Sequence, residues 1–133
     1  MPHDPIARED ALAWLAKADL NLRATRGDLA LAPPLLGDAA SHCQQSAEKA
    51  LKAVLALHDE PFRKTHDLGE LCRAVRAAEP ALAQVASAVV PLTDYAWEFR
   101  YPGDVVDPLA EEVTESLELA AALAEAVRRV LVG

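Results

Sequence analysis

The chain has 133 residues, which fits one domain over residues 1–133, and at this size folding buries roughly two thirds of the unfolded surface, so one core suffices without staples. Its 52% hydrophobic content comes largely from Ala, Leu and Val with only 5 Gly, its 9 Pro fall between periodic stretches, and strand-type alternation is missing, which predicts a helical bundle. A formal charge of -8 argues against nucleic-acid binding by bulk attraction while leaving room for a local basic pocket, and no stretch approaches the ~18 apolar residues of a membrane span, so a soluble cytoplasmic protein is expected.

Asp4-Pro5 reads as an N-cap with proline at the first helical position, and Ala7, Ala11, Trp14, Ala18, Leu22 and Leu29 recur on one face, predicting a first helix to about Leu31. Pro33-Pro34 break the chain. Leu36, Ala40, Cys43, Ala47, Leu51 and Val54 then mark a second helix to near His58. Asp59 to Thr65 reads as a loop, and Asp67 with Glu70 three residues later opens a third helix. Pro80 and Pro91 predict a kinked helical continuation from Ala81 to Phe99. Asp107-Pro108 opens a last helix running to about Leu131, with Glu111 and Glu112 at the positive end of its dipole and Arg128-Arg129 at the negative end. This helix carries two adjacent apolar stripes. The one through Leu119 and Leu123 is predicted either to be extra core or to form a homodimer interface.

Several chemistries are excluded by what the residues lack. Cys43 and Cys72 lie in apolar helical registers with no Cys-x-x-Cys, so both are expected to be buried thiols. No histidine has a Glu three residues before it, and no His-Glu-x-x-His, P-loop or Gly-x-Gly-x-x-Gly occurs, so neither metal ligands nor a cofactor is predicted. Absence of both Gly-Ser and Asp-x-Asp argues that the chain is not itself a nucleotidyltransferase catalyst. No residue is assigned a catalytic role.

The chemistry present lies on the second helix. His42, Gln45, Lys49 and Lys52 fall at three- and four-residue steps beside Gln44 and Glu48, predicting an exposed polar stripe suited to a small phosphorylated ligand with hydrogen-bonding edges. The alternative is a solvated face with Glu48 pairing Lys52 at i,i+4. Six of the thirteen basic residues lie between Lys49 and Arg76, whereas Asp104 to Glu125 holds seven carboxylates and no base. An anion is therefore expected at the end formed by the second and third helices, near His58 and His66. His66 serves either such a ligand or only the loop. Arg100 stands in Arg100-Tyr-Pro-Gly103, among four of the six aromatic residues, and serves either a ligand or carbonyls at a helix end.

These residues resemble the HEPN (higher eukaryote and prokaryote nucleotide-binding) family. The resemblance rests on Trp14-Leu15, Gln44-Gln45-x-x-Glu48-Lys49-x-Leu51-Lys52, Thr65-His-Asp-Leu68, Arg100-Tyr-Pro102 and an acidic last helix with Glu111-Glu112. It implies an all-α, up-and-down four-helix bundle with a short extra helical segment, like the substrate-binding subunits of nucleotidyltransferases. Such a bundle is usually a homodimer and is often paired with a separate minimal nucleotidyltransferase in a toxin–antitoxin-like arrangement. Gln45, Lys49, Lys52 and Arg100, with His42 and His66 as weaker choices, are then the expected nucleotide-binding residues. Ribonuclease members carry Arg followed after four to six residues by His. Here positions 105 to 107 are Val105, Val106 and Asp107, so RNA cleavage ranks second and a purely structural partner role third.

Overall fold

The computed structural model describes residues 3–96 and 107–133. Its helices are α1 (Pro5–Ala30), α2 (Leu36–Leu57), α3 (Leu68–Ala78), α4 (Ala83–Ser87) and α5 (Ala110–Val132), with 3-10 turns at Pro80–Leu82 and Val90–Ala96. The described residues contain no strand, and the all-α bundle expected from the sequence is the fold observed.

The helix ends follow local chemistry. Asp4 Oδ1 accepts from the Ile6 amide at 3.2 Å with Pro5 at the first helical position, so α1 starts where the Asp-Pro pair predicts. Asp67 Oδ1 accepts from the Gly69 amide at 2.9 Å and opens α3, while Glu70 turns instead to Arg63 at 2.6 Å. At the end of α2, Asp59 takes a positive φ of 52°. The Glu60 amide reaches Leu55 O at 2.9 Å and the Asp59 amide reaches Ala56 O at 3.0 Å, a Schellman closure with Asp where glycine is usual. The last helix starts later than Asp107-Pro108 predicts. Pro108 is buried, and the Leu109 amide donates to Glu112 Oε1 at 3.2 Å, so the second carboxylate of the helix does the capping.

The predicted continuation from Ala81 to Phe99 resolves into α4 between the two 3-10 turns as far as Ala96. Residues 97 to 99 lie outside the described part.

α2 packs against α1, α3, α5 and the Val90–Ala96 turn, which makes it the central helix. Its seam with α1 is built from small side chains: Ala7, Ala11 and Ala18 are buried on α1, and Ala39, Ala40, Cys43, Ala47 and Ala50 on α2. Thr25 is the buried polar residue of α1. Its one hydroxyl proton is shared between Asn21 O at 3.1 Å and Ala39 O at 3.2 Å, satisfying the group within the seam. Both thiols are buried as predicted, and burial pushes the Cys43 thiol up to about 11.

On α5, Leu123 is fully buried in the main core with Ala120, Ala124, Val127 and Leu131. The placement of Leu123 in a dimer interface is therefore corrected: α5 turns far enough into the cleft between α1 and α2 for both stripes to contribute to the core. Leu119 is only half buried and borders a cleft of about 240 Å³ with Pro91, Leu92 and Tyr95.

A buried carboxylate organises the candidate functional site

Gln44, Glu48 and Lys52 lie four residues apart on α2 and so share a face. That face points inward, with exposures of 0%, 4% and 6%. The expected exposed stripe is thus corrected: half of it is covered by the loop before α3 and by aromatic rings. Glu48 is the hub. Its Oε2 accepts from Lys52 Nζ at 3.0 Å, and its Oε1 accepts from His66 Nδ1 at 2.6 Å and from Gln44 Nε2 at 3.3 Å. Burial pushes the Glu48 carboxyl up, but the His66 and Lys52 hydrogen bonds, the Lys52 charge and the Gln44 amide together push it further down, leaving it below the ordinary carboxylate value. An ionised carboxylate only accepts, so His66 donates through Nδ1 and directs Nε2 away from Glu48.

Lys52 is held from the other side by aromatic faces, with Nζ 5.5 Å from the Trp14 ring centre and 5.7 Å from that of Phe62. The two rings meet edge to face at 6.0 Å. The i,i+4 pairing of Glu48 and Lys52 weighed from the sequence exists, as a buried pair rather than a surface one.

Each residue of Thr65-His-Asp-Leu68 is tied to the bundle or to its own turn. Thr65 Oγ1 accepts from the Asp67 amide at 3.0 Å, Asp67 caps α3, and Leu68 is buried while its amide donates to Thr93 Oγ1 at 3.2 Å. His66 is gripped twice from α2, because Gln44 Nε2 also donates to His66 O at 3.2 Å. Gln44 and Glu48 are positioning residues that reading the helix as a surface stripe missed; their i,i+4 spacing with Lys52 was the available signal. Gln44 Oε1 is buried with no hydrogen-bond partner among the described residues.

The remaining predicted residues separate. Gln45, Lys49 and His42 are half exposed and continue around α2 from Lys52. His42 faces α1, with Nδ1 2.9 Å from Asn21 Oδ1 and Nε2 3.4 Å from Asp38 Oδ2. Arg100 lies outside the described residues. The expected basic end also divides. Lys64 is exposed before α3 with Arg63, which pairs with Glu70, and Arg73 and Arg76 are exposed along α3 itself. The end of α2 is instead acidic: a cleft of about 310 Å³ there is lined by Asp4, Asp10, Asp59 and Glu60 with Trp14 and Phe62, and His58 Nε2 sits 2.9 Å from Glu79 Oε1. An anion is drawn to the α3 side, not to that cleft.

A family model described as HEPN domain matches residues 11–130, which takes in both interlocked motifs. The chain belongs to the HEPN family. Neither a curated protein nor a solved structure matches it. Membership supports a nucleotide-related or ribonuclease-type function at the level of the HEPN family. Among the described residues, no helix is long and apolar enough to cross a membrane.

Proposed function

We propose that this HEPN chain is a non-catalytic binding module for a nucleotide or a related phosphorylated ligand, acting beside a separate minimal nucleotidyltransferase in a toxin–antitoxin-like pair. The observation that carries the reading is the double grip of Gln44 and the buried Glu48 on His66. A buried carboxylate that holds Nδ1–H fixes the direction of Nε2, which donates to a phosphate oxygen when the ring is in its imidazolium form, at low entropic cost. Lys49 and Gln45 supply a cation and an amide on the neighbouring half-exposed edge, while Lys64, Arg73 and Arg76 raise the local anion concentration. Lys52 acts through Glu48, and Arg100 is kept as a ligand residue from the motif. Titration calorimetry with the four common nucleoside triphosphates, with and without Mg²⁺, tests this. Binding weakened by His66→Ala and Lys49→Ala is expected; no heat at millimolar ligand overturns it.

One observation favours ribonuclease activity as a second reading. The Glu48–His66 pair has the carboxylate–imidazole form of a proton-transfer group, and His66 would replace the histidine missing after Arg100. Growth arrest on expression that His66→Ala relieves supports it, and intact RNA after incubation with purified protein sinks it.

A further inference from the structure

Beyond the nucleotide reading, and toward the N-terminal end of α2, three metal-type ligands converge where α1 hands over to α2. We propose that Asp28, Asp38 and His42 form a binding site for one divalent first-row transition cation, with Zn²⁺ as the reference ion. Donor atoms of the three side chains all lie within 4.8 Å of one another. The His42 Nε2 to Asp38 Oδ2 separation is 3.4 Å, close to the edge of a tetrahedron with metal bonds of about 2.1 Å.

The hydrogen bonds around His42 leave this corner short of a cation. Asn21 Nδ2 donates to Lys17 O at 3.1 Å, which orients the amide so that Oδ1 faces His42 at 2.9 Å. An amide oxygen only accepts, so His42 Nδ1 must donate to it, and in the neutral ring Nε2 is left as a lone pair aimed at Asp38. Two carboxylates and that lone pair then face one another. Asp28 Oδ2, closed to solvent, has no hydrogen-bond partner. Burial and the facing Asp38 side chain push the Asp28 carboxyl up to about 6, a strain that one cation, satisfying all three groups, removes. Asn21 fills the orienting role that metal-bound histidines usually take from an amide, carbonyl or carboxylate.

The backbone places the ligands firmly. Asp38 and His42 are four apart on one face of α2, and Asp28 O accepts from the amides of Leu31 at 3.4 Å and Leu35 at 3.1 Å, pinning the junction. Asp38 also borders an open cleft of about 500 Å³. A site of one imidazole and two carboxylates suits Zn²⁺ or Mn²⁺ better than the all-oxygen preference of Ca²⁺.

Titration calorimetry of chelator-stripped protein with Zn²⁺ alone and with Mn²⁺ alone is the test. One equivalent per chain is expected, with a raised melting temperature. Asn21→Ala should weaken binding by about 10- to 100-fold, and His42→Ala and Asp38→Asn by more. Both of those positions are partly exposed, so folding is retained and can be checked by circular dichroism. The proposal is overturned if neither ion binds to the wild-type chain. It is equally overturned if binding survives His42→Ala and Asp38→Asn but is lost in His58→Ala, which would place the ion at His3, His58 and Glu79.

Discussion

Glu48 holds Lys52, His66 and Gln44 at once, and its protonation sets a pH dependence. Its folded-state carboxyl lies below the ordinary value, so it contributes stability that is fully present above an unfolded value of about 4.3 and is lost as pH falls through the folded value. Urea midpoints measured between neutral pH and pH 3 should therefore fall more steeply below about pH 4.3 for the wild type than for Glu48→Gln. Parallel curves would show that Glu48 is not held ionised. Lys52→Ala removes one partner of a buried pair and uncovers two aromatic faces, so it should cost about 3–5 kcal/mol in chemical denaturation. His66 and Gln44 still face the carboxylate, which favours the lower end of that range. The polar residues of this cluster were legible as a functional pattern, but their burial was not. On a helix read alone, Gln44, Glu48 and Lys52 at i,i+4 spacing look like a solvated face, and only the packing of Phe62, Trp14 and the Thr65–Leu68 segment turns that face inward.

Helix ends were legible where a single side chain settles the cap. Asp4 and Asp67 do so, and the starts of α1 and α3 follow. Asp107-Pro108 carries the same two-residue signal yet does not open α5, because Glu112 reaches the Leu109 amide and Pro108 is taken into the core. Amphipathic width misled in a similar way. A broad apolar face on α5 fits an interface or a deep seat between two helices, and the second holds for Leu123. Leu123→Glu should then unfold the chain, at a cost above about 4 kcal/mol, by burying an unpaired carboxylate. Leu119→Glu, at a half-buried position, should keep its helical circular dichroism. If the family's homodimer forms through the outer edge of α5, that second variant sediments as a monomer. A Leu123→Glu chain that stays folded would return this residue to the surface.

Charge is distributed unevenly over the folded chain in a way its total hides. Arg63, Lys64, Arg73 and Arg76 are exposed just before and along α3, while the cleft between the start of α1 and the end of α2 is walled by four carboxylates. Sequence order placed both regions at one end of the bundle, since His58 and Lys64 are only six positions apart. Folding separates them, because the Schellman closure at Asp59 turns the chain sharply away from the axis of α2.

The central position of α2 also has a consequence in time. Its amides are enclosed by α1, α3, α5 and the Val90–Ala96 turn, so no partial opening that keeps the bundle together can bring them to water. Hydrogen exchange at Ala47, Leu51 and Val54 should accordingly report the full unfolding free energy and respond to denaturant with the global slope, whereas amides of the short α4 should exchange through smaller openings. Gln44 and Glu48 are anchored in that slow helix while the His66 they hold belongs to a loop, so the loop's exchange rate is set by how often it lets go of a part of the molecule that does not itself move. Glu48→Gln should speed exchange at the Leu68 amide and leave Leu51 limited by global unfolding, and equal acceleration at both would mean that the loop and the central helix open as one unit.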